Sequence, residues 1–343
     1  MKKKKPQEPT QPFSYVEKEV TFKNNFDGTI LNGTLTIPDE TNVFPAVILV
    51  TGSGAQNRDE EILGHKPFLV IADHLTKAGI AVLRYDDRHY KMPVKQGWKF
   101  TTRDFAGDTK AAFDFLYNHQ NIDTSFIGII GHSEGGVIAP IVASEDERVG
   151  FIISLAGPGL NGYQIATAQG NDLADGSKDA EFSKKSLEII INESNQKVRK
   201  RKLKEIYNNI YGKYNLIAKF NLYFTIEMVT SEWNRFFIKY DPADAWVKVL
   251  CPVLAMIGEY DIQVLPDENL SAIEEALKKA GNSDVTLIKE PALNHLFQKT
   301  DSVCTKGYTS LVKQYKESEE TFSPDVLKRI ADWILSRYQK SNF

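Results

Sequence analysis

Hydrophobic and polar positions along this chain follow first a period of two, then alternating runs. Near the N-terminus, Tyr15–Phe22 and Thr29–Ile37 alternate apolar and polar residues around Asn24-Asn25-Phe26-Asp27-Gly28. This is the pattern of a half-buried hairpin with Asp-Gly in its turn. From residue 46 the apolar runs are short and continuous: Ala46–Val50, Ile80–Tyr85, Phe126–Gly131 and Phe151–Leu155. Such runs suit strands buried on both faces. Between them, His65–Ala78 (closed by Gly79) and Asp104–His119 carry helical spacing. The alternation predicts βαβ units and a mainly parallel sheet, made mixed by the antiparallel hairpin at the front.

After Gly157 the strand pattern stops. Ala180–Asn192, Gln196–Tyr211 and Leu216–Thr230 all read as helices. Strand character returns at Pro252–Ile257 and Val285–Ile288, with a helix at Asp267–Lys279 between them. Residues 291–322 read as a long loop region, and Pro324–Tyr338 as a last amphipathic helix with Ser323 as its N-cap. The expected organisation is a disordered tail at 1–13, an α/β core formed by 14–157 and 246–343, and a helical cap inserted at 158–245. The insertion follows a core strand, where a lid can cover a pocket.

Composition narrows the class. The chain has 343 residues, with 42% hydrophobic and 25% charged residues, the proportions of a globular protein. A net charge of −3 and a pI near 6.1 argue against a nucleic-acid partner. No apolar run approaches the roughly 20 residues of a membrane span. Two cysteines, Cys251 and Cys304, make no disulfide framework and are expected as free thiols, although one bridge is conceivable. Met1 to Lys5 is basic but no apolar stretch follows, so the chain as it stands is expected in the cytoplasm, and in the periplasm or outside if a leader has been removed. The basic run Lys197 to Lys204 is expected as a solvated helix face, with Val198 and Leu203 on the buried side.

The chemistry centres on Gly131-His132-Ser133-Glu134-Gly135, which joins a buried strand to the helix-compatible run Val137–Ala143. G-x-S-x-G in a strand–turn–helix context is a nucleophile elbow, with Ser133 as candidate nucleophile. A serine hydroxyl needs a base, and the base needs a third group to hold its tautomer. On such an elbow the partners follow in the order serine, acid, histidine. Of the six histidines only His295 follows Ser133, so it is the candidate base. Asp261, a few residues past the strand Pro252–Ile257, is the candidate acid, with Glu259 as runner-up. Developing negative charge on an acyl oxygen needs N–H donors. One is expected from Glu134, the residue after the nucleophile. The other is expected from the Thr51-Gly52-Ser53-Gly54 loop, with Ser53 favoured and Gly54 next.

Taken with Arg84-Tyr85-Asp86-Asp87-Arg88 and Asn294-His295, these pieces resemble an α/β-hydrolase. The branch they resemble is that of bacterial esterases similar to prolyl-oligopeptidase-type serine hydrolases. The resemblance spans residues 52 to 295 and implies Ser133, Asp261 and His295 as nucleophile, acid and base. One departure is His89, where the family usually continues Asp-Asp-Arg with glycine; it is expected as a surface-loop residue. The expected activity is hydrolysis of a small-molecule carboxylic ester through an acyl-enzyme, with no metal or cofactor. A serine exopeptidase with a cap anchor such as Glu181, Glu188 or Glu227 is the first alternative, and a catalytically silent binding module the second.

Overall fold

The computed structural model describes residues 5–172, 178–212, 216–304 and 308–341. Eight strands form one sheet: β1 (Val16–Lys23), β2 (Ile30–Ile37), β3 (Phe44–Val50), β4 (Ala81–Tyr85), β5 (Ile122–His132), β6 (Phe151–Leu155), β7 (Val253–Gly258) and β8 (Val285–Glu290). The helices in order are α1 (Pro67–Lys77), α2 (Val94–Gly97), α3 (Thr102–Tyr117), α4 (Gly135–Ala143), α5 (Gly162–Asp172), α6 (Lys178–Asn192) and α7 (Gln196–Tyr211). They continue with α8 (Leu216–Val229), α9 (Glu232–Lys239), α10 (Ala243–Trp246), α11 (Pro266–Ala280), α12 (Tyr308–Glu317) and α13 (Pro324–Ser341). None among the described residues is long and apolar enough to cross a membrane.

The sheet order is β1-β2-β4-β3-β5-β6-β7-β8. β1 pairs antiparallel with β2, and β2 with β4, while β4 and all strands beyond it run parallel. This is the mixed, mostly parallel α/β sheet that the alternation of runs predicts. β3 through β7 are buried along nearly their whole length, as strands covered on both faces must be. On one face Val47, Leu49, Val82, Ile130, Leu155 and Met256 pack with α1 and α13. The other face carries α4 and α11, and α3 joins it through the Tyr85–Thr109 hydroxyl bond of 2.9 Å.

The chain leaves β3 to one side to build β4 and returns to the other side to build β5. The carboxyl ends of β3 and β5 therefore flank the switch point of the sheet, where open α/β folds place their sites.

The chain divides into two compact units: Met1–Tyr90 with Phe105–Gly159 and Ala243–Phe343, and Lys91–Asp104 with Leu160–Pro242. The second unit takes in residues 91–104, which the sequence pattern assigns to the core. It is helical, with Leu187, Ile190 and Ile238 in one apolar cluster and Leu203 and Ile226 in another. The basic run lies on α7. Arg199 is fully buried and donates to the carbonyls of Glu193, Ser194 and Thr230 and to the Glu232 carboxylate. Lys200 pairs with Glu227, Lys202 with Glu193, and Arg201 more loosely with Glu205. The run is thus largely matched by carboxylates of its own unit rather than presented as a bare basic face. Val198 is only half-buried.

Three further differences from the sequence reading have local causes. The region 291–322 contains α12, whose Leu311 and Tyr315 bury against Leu296; its polar sequence hides a narrow apolar stripe. β5 begins at Ile122, because Asp123 to Ser125 continue the strand as a polar stretch. The segment expected as a disordered tail makes specific contacts from Lys5 onward. Gln7 accepts from the Thr321 and Phe322 amides and donates to the Phe322 carbonyl. Residues 1–4 of that segment lie outside the described residues.

Candidate active site

All five sequence-predicted site residues, Ser53, Ser133, Glu134, Asp261 and His295, fall in the first unit. Ser133 follows directly on β5 and has φ of 51°, in the left-handed region that a serine enters only under constraint. Its N–H donates to the Leu155 carbonyl at 2.9 Å, fastening the turn to β6. The flanking glycines are required by space. A β-carbon on Gly131 would lie 2.0 Å from the Gly135 carbonyl oxygen, and one on Gly135 would lie 2.2 Å from the Val50 carbonyl oxygen. The elbow is thereby pressed against the end of β3, and Glu134 is buried at the start of α4.

Asp261 and His295 are brought together at the ends of β7 and β8. Oδ2 of Asp261 lies 2.7 Å from Nδ1 of His295, and both side chains are buried. Oδ1 of Asp261 accepts the N–H groups of Gln263 and Val264, at 2.8 and 2.9 Å. A carboxylate only accepts, so this contact calls for a hydrogen on Nδ1 and leaves Nε2 as the ring nitrogen not engaged by Asp261. Asn294 shapes the loop that presents the ring: its Oδ1 accepts from the amides of Leu296 and Gln298. The two loops pack so closely that a β-carbon on Gly258 would lie 2.4 Å from the Leu293 carbonyl oxygen. Glu259, the runner-up acid, instead accepts from the Ala292 amide and pins the start of the histidine loop.

The third loop, after β3, is tied down on all sides. Oδ1 of Asp87 accepts from the Thr51 hydroxyl and Oδ2 from the Gln56 amide, both at 2.8 Å. Burial pushes Asp87 well above the ordinary carboxylate range, and the neighbouring carboxylates of Glu134 and Glu60 push the same way. Gly52 donates its N–H to Oε1 of Glu60 at 2.8 Å, and a β-carbon on Gly52 would lie 3.1 Å from the β-carbon of Ser133. The loop therefore abuts the elbow. The Gly52 amide is engaged by Glu60, whereas the next residue along, Ser53, is exposed. Behind the loop, Asp87, Asp108 and Glu134 line a cavity of about 10 Å³, room for a single water.

Sequence reasoning missed two residues and misplaced a third. His132, the second residue of the elbow motif, is buried, with Nδ1 2.9 Å from Glu60 Oε1 and Nε2 3.0 Å from the His295 carbonyl oxygen. Chain order sets His132 aside as a base and gives it no other role. Glu60 sits in the run Asp59-Glu60-Glu61, which reads as a solvated loop, yet it is 3% exposed. His89 is no surface-loop residue. It is buried, stacked on Phe105 with 5.0 Å between ring centroids, and hydrogen-bonds the Gly54 backbone. Burial and the adjacent Arg88 cation lower its pKa to about 4, so it is neutral. Cys251 and Cys304 are both free.

The sequence profile of the family described as "BAAT / Acyl-CoA thioester hydrolase C terminal" matches residues 110–299, more than half of the chain and a span that holds Ser133, Asp261 and His295. Esterase EstD of Thermotoga maritima is 26% identical over 324 residues, which cover 94% of this chain and 68% of the relative. An esterase of Pyrococcus furiosus superposes with a TM-score of 0.58 at 17% identity, over 94% of this chain and 91% of its own. Est1E from Butyrivibrio proteoclasticus gives 0.52 at 16% identity, over 94% and 99%. The last two likenesses bear on the fold alone.

Proposed function

Because the chain belongs to the BAAT / acyl-CoA thioester hydrolase C-terminal family, within the α/β-hydrolase superfamily, we propose that it is a serine hydrolase cleaving carboxylic esters of short to medium acyl chain through an acyl-enzyme. The observation that carries the reading is the buried Asp261–His295 hydrogen bond, tied to the strained elbow serine through His132. Asp261 keeps the proton on Nδ1, so Nε2 of His295 takes the proton of Ser133 as Oγ bonds to the acyl carbon. The carbonyl π electrons move to oxygen, where the Ser53 and Glu134 amides donate to the oxyanion. Collapse breaks the bond to the alcohol, which leaves with the proton returned by His295. Water then repeats the sequence on the acyl-enzyme and releases the acid.

Against the exopeptidase alternative, two of the acids named as examples of a cap anchor already have cationic partners, Glu181 in Lys185 and Glu227 in Lys200. The family description and the EstD relative make thioesters and esters the substrates to compare. The test is a series of p-nitrophenyl acyl esters, acyl-CoA thioesters and aminoacyl anilides on the wild type and Ser133→Ala. Ester turnover that is lost in Ser133→Ala, with covalent labelling of Ser133 by a fluorophosphonate, supports the reading. Turnover that survives the substitution overturns it.

A further inference from the structure

The acidic run 59–61 would be solvated in most loops, but here its middle residue is folded inward. Oδ1 of Asn57 accepts the amides of Asp59 and Glu61, and the Asn57 carbonyl accepts the amide of Glu60, which has φ of 50°. This tight turn aims the Glu60 side chain at the elbow, where its Oε1 meets both the Gly52 N–H and His132 Nδ1. On its other side, His132 meets the His295 carbonyl oxygen, which can only accept, so Nε2 bears a hydrogen. A Glu60 carboxylate also only accepts, so Nδ1 bears one too. Both ring nitrogens thus face acceptors, the geometry that suits an imidazolium held against a carboxylate, with side chains 8% and 4% exposed.

We infer that Glu60 and His132 form a buried positioning pair that sets the oxyanion loop, the nucleophile elbow and the base loop in register for catalysis. The inference rests on the roles proposed above for Ser133 and His295. Three segments far apart in sequence converge on this pair: residue 52 after β3, residue 132 at the end of β5 and residue 295 after β8. Removing the pair takes away all three of these hydrogen bonds at once, and a misplacement of about 1 Å among reacting groups costs roughly 100-fold in rate.

The charges around the pair are mutually balanced. Burial opposes the His132 cation, but the Glu60 carboxylate, the His295 carbonyl and the more distant Asp261 outweigh it and hold the imidazole above its ordinary value. The nearby acid Asp87 feels the carboxylates of both Glu60 and Glu134. The His295 ring, 5.0 Å from that of His132, faces a positive neighbour whose charge Glu60 offsets. Glu60→Gln keeps the shape and removes the charge. His132 then gives up its Nδ1 proton more readily. A single side-chain atom of the introduced glutamine cannot both accept from the Gly52 amide and donate to a bare Nδ1, so one of those two bonds is lost.

Histidine-labelled protein tests this by NMR together with kinetics. Wild type at pH 7.5 is expected to show both ring N–H signals for His132, assigned by their loss in His132→Asn. Glu60→Gln is expected to lose the Nδ1–H signal. Its kcat for an ester falls roughly 10- to 100-fold while KM stays within about threefold. Its pH profile gains a titration between about pH 6 and 8 that wild type lacks. A His132 ring with a single N–H in wild type overturns the inference, even if no variant folds. So does a Glu60→Gln enzyme with wild-type kcat and pH profile. The catalytic reading fails separately: activity persisting in Ser133→Ala sinks it, whereas the double N–H signature of His132 persists in that variant if the pair exists.

Discussion

At the scale of single residues, proton position decides what each group can do. Asp261→Asn would retain an oxygen for the Gln263 and Val264 amides but offer an NH₂ to His295 Nδ1. The ring would then carry its proton on Nε2 and could not accept one from Ser133. The expected result is a fall in kcat of about 10⁴-fold with the melting temperature little changed, checked by ester kinetics and thermal unfolding on the same sample. Asp87 offers the opposite case, a carboxylate that costs stability. Its folded pKa lies well above the unfolded value, so its contribution is complete below about pH 4 and is lost as pH rises through the folded value. Asp87→Asn can still accept from the Gln56 amide, and the Thr51 hydroxyl can turn to accept from the new NH₂. The variant should therefore have a higher urea midpoint than wild type at pH 8, and the gap should close toward pH 4. The Asp261–His295 pairing and the strained turn at Ser133 were legible because motif, chain order and strand ends pointed to them. Glu60 and Asp87 were not, since a carboxylate's burial depends on partners that sequence spacing cannot locate; Glu60 meets His132 across 72 positions.

At the scale of elements, the elbow shows how backbone spacing limits side-chain choice. Gly135→Ala would bring a methyl within 2.2 Å of the Val50 carbonyl oxygen, so α4 must move away from β3. Backbone on both sides leaves no flexible side chain to yield. The expected loss is about 2–4 kcal/mol, read as a lower denaturant midpoint with an unchanged m-value. Continuous apolar runs made β3, β4 and β6 readable, and the glycine-flanked β5 as well, apart from its polar start. α12 was hidden because its buried side consists mainly of Leu311 and Tyr315 amid polar residues. Its Tyr315 hydroxyl accepts from Gln263, two positions beyond Asp261, so the unforeseen helix supports the acid loop. The histidine after Asp-Asp-Arg was misplaced for a related reason. Its burial depends on Phe105, a residue of α3 that periodicity does not bring beside it.

At the scale of the whole molecule, the order of strands follows from rules rather than motifs. Alternating strands and helices imply parallel pairing with right-handed crossovers, and a β3 flanked by β4 and β5 places the switch point at the elbow. The makeup of the second unit was less visible, because residues 91–104 join it from a distant part of the chain. Burial across the first unit also stores protons, and this sets how the fold responds to base. Burial pushes the Cys251 thiol up to about 12 and the Tyr85 hydroxyl still further above its usual 10. In the unfolded chain both ionise near ordinary values, so the stabilisation they lend is complete below about pH 9 and declines as pH rises from there. Each group between its two pKa values adds a slope of about 1.4 kcal/mol per pH unit. Urea midpoints should therefore fall steeply between about pH 9 and 11. Cys251→Ala should flatten the part that begins near pH 9 and leave the part that begins near pH 10, where Tyr85 takes over. An unaltered slope in that variant would mean that the thiol ionises freely in the folded protein, and that the alkaline limit belongs to the tyrosines alone.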